Sequence, residues 1–134
     1  MLPVITTVFA VLGDDRFDPT LCTNAFSLTP TKVLIKGESR PYPRPPVPKS
    51  EWRLEIERHT LDLNEAVAAL LDVLWPRRER ILDYISSHGL KTDITCNIRI
   101  LSERPFYCLN RDTIEKLAFL RAEFGLDIFD FSEK

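Results

Sequence analysis

Glycine is scarce in this chain, four residues in 134, and none stands in a GxGxxG or P-loop spacing. A phosphate cradle made of backbone N–H groups has little to be built from. Histidine is scarcer. His59 and His88 lie far apart, with no His-x-x-His or His-Glu-x-x-His spacing to hold two ligands on one surface, so no metal site is expected. The three cysteines, Cys22, Cys96 and Cys108, are an odd number without a CxxC pair. That argues against a disulfide framework or a zinc site and fits a reducing cytoplasm. No cofactor is expected.

A surplus of one charge is missing too. The net charge of -2 and pI near 5.7 give no reason to expect nucleic acid or an anionic membrane as partner. The apolar run Leu2 to Gly13 is too short to span a bilayer. It lacks a basic leader and a small-residue cleavage pattern before Asp14-Asp15-Arg16, so a buried strand is expected rather than a signal peptide.

What is present fits one folded unit. With 44% hydrophobic and 28% charged residues, the chain reads as a single soluble domain over residues 1–134 with a real core. The rest is organised around Leu63 to Leu74, where Leu63, Val67, Leu70 and Leu74 recur at helical spacing with Leu71 beside them. Trp52 to Arg58 and Lys91 to Leu101 alternate strictly. Trp52, Leu54, Ile56, Ile94, Cys96, Ile98 and Ile100 point inward; Arg53, Glu55, Glu57, Asp93, Thr95, Asn97 and Arg99 point to water.

The remaining elements follow from local chemistry. Val4 to Leu12 is a central strand, and Asp18 with Pro19 starts a short helix that buries Leu21, Cys22 and Ala25. Thr31 to Lys36 is a second strand ended by Gly37. Pro76 interrupts the helical region, and a further helix runs to His88 with Gly89 as its stop. A turn at Ser102 to Pro105 suggests a hairpin into Phe106-Tyr107-Cys108-Leu109. Asp112 with Glu115 reads as a capping box for a helix that buries Ile114, Leu117, Ala118 and Phe124 and stops at Gly125. Leu126 to Phe131 is the last strand. The expected fold class is α+β, an antiparallel or mixed sheet of about six strands with helices packed on one face. In part it can be drawn as a ferredoxin-like βαββαβ unit.

Residues 38–49 form a proline-rich surface loop, expected to run as polyproline II. Arg40-Pro41-Tyr42-Pro43-Arg44-Pro45-Pro46 fits the R-x-x-P-x-x-P pattern of peptides that dock SH3-type grooves, although stiffening of the loop is the plainer use of its prolines. Arg40, Tyr42 and Arg44 are its candidate binding residues. Elsewhere the candidates are Arg53, Glu55, Glu57, Asp93 and Arg99 on the wet sheet face. They are read first as a mixed-sign ladder, each exposed pair worth under about 1 kcal/mol. The same carboxylates could instead serve acid–base chemistry. No catalytic residue is assigned: Cys96 and Cys108 read as core packing, and Cys22, near a helix N-terminus, lies on that helix's apolar side.

Phe17-Asp18-Pro19, Leu28-Thr29-Pro30-Thr31, Lys36-Gly37, Ser50-Glu51-Trp52, the long leucine-rich helix and Gly125-Leu126-Asp127-Ile128-Phe129 together resemble a bacterial family of small proteins, the domain of unknown function 4279. The resemblance spans nearly the whole chain in the family's order; the proline loop is longer than expected for it. It implies a small cytoplasmic protein with no established activity and no catalytic residues to carry over.

Three functions are open at this point. The first is a non-enzymatic protein-binding module, immunity-protein-like in its narrower form, whose partner is another protein. The second is a small-molecule-binding or hydrolytic protein using the acidic residues of the open sheet face, which requires a concave pocket with perturbed carboxyls. The third is self-association along an edge strand.

Overall fold

The computed structural model describes residues 1–133. A five-stranded sheet runs in the order β2-β3-β1-β4-β5, built from β1 (Val4–Leu12), β2 (Lys32–Leu34), β3 (Glu51–His59), β4 (Lys91–Ile100) and β5 (Glu123–Asp130). As expected, β1 is central. It pairs antiparallel with β3 and β4 along its full length. β2 pairs antiparallel with β3, and β5 pairs parallel with β4, so the sheet is mixed.

Alternation sets the two faces. Ile5, Thr7, Phe9 and Val11 of β1 and Ile94, Cys96, Ile98 and Ile100 of β4 are buried beneath the helices α2 (Leu63–Leu74), α3 (Arg78–His88) and α4 (Arg111–Phe119). α2 contributes Leu63, Ala66, Val67, Leu70, Leu71 and Leu74 to that core. Its first turn is capped by Asp62, whose carboxylate accepts the Asn64 N–H at 2.9 Å, which satisfies one of the orphan donors of the helix start. The Thr7 hydroxyl donates to the Ala66 carbonyl at 3.3 Å, tying central strand to helix. Trp75-Pro76-Arg77 tightens into a single 3-10 turn between α2 and α3, since Pro76 lacks the N–H an α-helix needs. α3 ends on Gly89 in the left-handed region at φ 61°, where a side chain would be strained.

The short helix α1 (Cys22–Phe26) follows a 3-10 turn that begins at Pro19, and Asp18 caps it by accepting the Thr20 N–H at 3.0 Å. Cys22 and Phe26 are buried there, whereas Leu21, expected inside, is exposed.

Several expectations are corrected. The sheet has five strands, not about six, and the ferredoxin-like drawing is matched only roughly because the sheet continues to a fifth, parallel strand. Phe106 to Leu109 is not a hairpin partner of β4. The Phe106 N–H donates to the Leu61 carbonyl at 2.7 Å and its carbonyl accepts from Leu63 at 3.3 Å, so this segment lies along the entry to α2. The second strand is shorter than Thr31–Lys36. α4 ends at Phe119 rather than Gly125, the chain reversing through Arg121 at φ 54°. Its buried stripe is Thr113, Leu117 and, just past its end, Leu120. Ile114 and Ala118 face out, while Phe124 and Gly125 belong to β5. The cap is Asn110, whose side chain accepts the Thr113 N–H at 2.9 Å. Asp112 and Glu115 instead form i,i+4 ion pairs with Lys116 and Arg111.

Candidate functional site

The helix-free face of the sheet is where the charged candidates meet. β1 supplies its small floor, Thr6, Val8 and Ala10, flanked by β3 on one side and β4 on the other. Register decides the neighbours. Ala10 lies between Arg53 and Asp93, Val8 between Glu55 and Thr95, and Thr6 between Glu57 and Asn97. β5 extends the same rows, with Glu123 beside Asp93 and Asp127 beside Asn97.

These rows divide into a ladder and a cup. The ladder lies toward the end of β3: Glu57 takes Arg99 at 3.2 Å and His59 at 3.5 Å, reaching over the narrow side chains of β1. The cup, of about 180 Å³, is floored by Val8 and Ala10 and rimmed by Arg53, Asp93, Asn97 and Asp127. Glu51 closes one side of it, 14% exposed and paired with Arg53 at 2.8 Å. A larger hollow of about 360 Å³ opens at the sheet's end among Ile85, Leu90, Arg121 and Glu123 and also touches Asp93. The cup is the better candidate, because there side chains from four strands converge on one point.

Its electrostatics are tilted toward protonation. Burial raises the Asp93 carboxyl above its ordinary 3.8, and Glu123 raises it further against the opposing pull of Arg53. Glu51 is also raised by burial, which outweighs its pairing with Arg53. Raised carboxyls mean negative charge held in reduced contact with water. Among the described residues Glu55, Asp93, Asp127 and Glu123 make no ion pair within 4 Å of a cation; Asp93 and Asp127 line the β4–β5 side of the cup, and Glu123 stands next to Asp93 in the neighbouring hollow.

Arg53, Glu55, Glu57, Asp93 and Arg99 therefore all lie on the open face, but not as one site. Arg53 and Asp93 share the cup, Glu57 and Arg99 share the ladder, and Glu55 stands between them. Asp93 faces Arg53 across Ala10 rather than joining Glu55 and Glu57. Glu51 and Asp127 were missed. Glu51 sits at the first position of β3, where alternation has barely begun, and Asp127 joins only because β5 pairs parallel with β4.

The proline loop is folded on itself rather than extended as polyproline II. Gly37 and Val47 are joined by an N–H to carbonyl bond at 2.8 Å, Val47 N–H returns to Glu38 at 3.0 Å, and Arg44 N–H closes a turn on Pro41 at 3.0 Å. The Arg40 guanidinium donates to the carbonyls of Pro45 and Pro46 at 2.8 and 3.4 Å. It is committed to the loop and not held out for an SH3-type groove. Arg44 is exposed and Tyr42, 97% exposed, marks the tip. Val47 is the loop's one buried residue.

No thiol chemistry is supported at the buried cysteines. Burial pushes Cys22 up to about 12, with Asp18 adding to it, and Cys96 up to about 11. Cys108, expected in the core, is exposed because its segment is not a strand. Among the described residues no cluster of His, Cys, Asp and Glu could hold a metal ion, and no helix is long and apolar enough to cross a membrane.

Against known proteins, residues 4–131 match the family described as Domain of unknown function (DUF4279). The chain belongs to the DUF4279 family. No curated protein and no solved structure matches it significantly. Membership in DUF4279 covers every strand and helix described above, so the cup, the ladder and the loop all lie within the family domain.

Proposed function

We propose that this protein is a non-enzymatic protein-binding module whose open sheet face receives a basic surface of another protein. The observation that carries the reading is a set of carboxylates that, among the described residues, make no ion pair: Asp93 and Asp127 in the cup, Glu123 next to Asp93, and Glu55 across Val8. Asp93 is partly desolvated and is repelled by Glu123 beside it, a strain that a cation joining them would relieve. A lysine or arginine from a partner would supply that charge, and the flat remainder of the face suits a protein better than a small ligand. Immunity-protein-like blocking of a toxin is the narrower form of this proposal. Nucleic acid and membrane surfaces are disfavoured by the same acidity.

A small-molecule or hydrolytic role has one observation in its favour, the raised Asp93 and Glu51 carboxyls in a shared cup. Against it, Glu51 is already held by Arg53, and an acid–base pair needs a reacting group between its members.

A photo-crosslinking residue at Glu55 in the native host, compared with one at Asp83 on α3, tests the proposal. One partner protein should be trapped from the Glu55 position only, and Asp127→Lys should weaken its purified binding by about tenfold or more. Recovery of the protein alone from both positions, or unchanged binding by Asp127→Lys, would overturn it.

A further inference from the structure

The two edges of the sheet are unlike. β2 is three residues long and carries Lys32, a short charged edge of the kind that resists further pairing. β5 is eight residues long and lies at the opposite margin. The Phe131 N–H donates inward to the Ile100 carbonyl at 2.8 Å. Alternation then turns the N–H and C=O groups of Leu126, Ile128 and Asp130 outward, where, among the described residues, β5 has no strand neighbour. Large apolar side chains line this edge on both faces: Leu126 and Ile128 on the helix side, Phe129 and Phe131 on the open side, with Ile128 48% and Phe131 62% exposed. A long apolar edge left unpaired is a template for another strand.

Gly125 adds an independent observation. Glycine weakens a strand interior and needs a reason. None is found within the monomer: its φ is not in the left-handed region, and an added Cβ would meet only the Thr95 hydroxyl at an ordinary 3.8 Å. The space above Gly125 is simply left open on the side of the sheet where Phe129 and Phe131 stand.

We infer that β5 pairs antiparallel with β5 of a second copy of this chain about a two-fold axis through Ile128, joining the two sheets into one. This register is selected by charge and shape. Centring the axis on Asp127 would set that carboxylate directly against its own mate, which is destabilising. Centring it on Ile128 puts Ile128 against itself, Leu126 against Asp130, Asp127 against Phe129, and Phe131 over Gly125. Over residues 125–131 no carboxylate then faces another, and each Phe131 ring covers the bare backbone of the other chain's glycine, a pairing known to offset the cost of a strand glycine. The free backbone groups of Leu126, Ile128 and Asp130 would be satisfied together. The inference rests on the sheet's edge and is independent of what binds its open face.

Sedimentation velocity over a concentration series should give a reversible dimer, twice the 15.5 kDa chain. Gly125→Val should keep the fold, because the monomer has room for it, yet weaken association about tenfold. Register is read by disulfide trapping in a Cys108→Ser background: Ile128→Cys meets its mate at a bridgeable distance and Leu126→Cys does not. A monomer at every concentration, which would leave the edge to a foreign strand, overturns the inference. So does a dimer that ignores Gly125→Val, or trapping through position 126 instead of 128.

Discussion

The indole N–H of Trp52 donates to the hydroxyl of Thr23 at 3.2 Å, joining the second position of β3 to the first turn of α1. The ring itself is fully buried and meets Phe9 and Phe26 edge-on at 6.1 and 5.2 Å. One side chain thus fixes β1, β3 and α1 against each other. Trp52→Ala should cost about 3–5 kcal/mol, and Thr23→Val, which leaves a buried donor unpaired, about 1–3 kcal/mol. Denaturant unfolding measures both, and a smaller loss for Trp52→Ala than for Thr23→Val would contradict this packing.

The start of α4 offers a second comparison. Asn110 accepts the Thr113 N–H, and its own N–H donates to Asn64 of α2 at 3.0 Å, so it couples two helix starts. Asn110→Ala should lower stability by about 0.5–2 kcal/mol. Asp112→Ala removes only the exposed pair with Lys116 and should stay below about 0.5 kcal/mol. Equal losses would restore Asp112 as the cap.

Much of this fold could be read from residue order. The alternation of Lys91 to Ile100 reports a strand with one wet face because helices cover only one side of β4, and its buried and less buried residues alternate accordingly. Leu63, Val67, Leu70 and Leu74 report α2 because its buried stripe is a helical one. The partner of β5 could not be read this way. Parallel pairing leaves no turn between the strands, and Phe106 to Leu109 imitates a hairpin partner while bonding to residues 61 and 63. The capping box at Asp112 fails for a similar reason: two residues earlier, Asn110 has the extended backbone that a cap requires. Of the candidate site, the face was legible and the neighbours were not. Which charges meet depends on strand register, and register is set by the whole sheet.

The cysteines separate in reactivity. Cys108 is exposed and Cys22 and Cys96 are buried with thiols pushed up to about 12 and about 11. A thiol reagent applied to the native protein at mildly alkaline pH should label Cys108 alone, and all three cysteines after unfolding, since only an accessible thiolate reacts. Mass spectrometry locates the label. Rapid native labelling at Cys22 would contradict the buried α1.

The cup sets the sign of one pH dependence. The Asp93 carboxyl is raised above 3.8 by burial and by Glu123, so the folded state holds its proton to higher pH than the unfolded chain does. Its contribution to stability is complete at acid pH and is lost as pH rises through the folded value. Asp15 and Asp130, lowered chiefly by hydrogen bonds from Lys36 and Ser132, act oppositely, losing stability as pH falls through their folded values. Asp93→Asn should therefore raise the melting temperature at neutral pH, with the gain vanishing near the ordinary carboxylate value, where Asp93 itself is neutral. Thermal melts across that range test this; a destabilised Asp93→Asn at neutral pH would contradict it.

Everything assigned to the open face depends on which side of β4 is dry. Cys96 is fully buried, its thiol 3.6 Å from the Thr7 hydroxyl under α2, while Asn97 points to the face of Glu57 and Asp127. The most direct test is the unfolding free energy of Cys96→Lys beside that of Asn97→Lys. Asn97→Lys should change stability by less than about 1 kcal/mol, and Cys96→Lys, which buries an unpaired charge, should cost more than about 4 kcal/mol. Equal costs, or a larger one at Asn97, would contradict a sheet roofed on one side and open on the other.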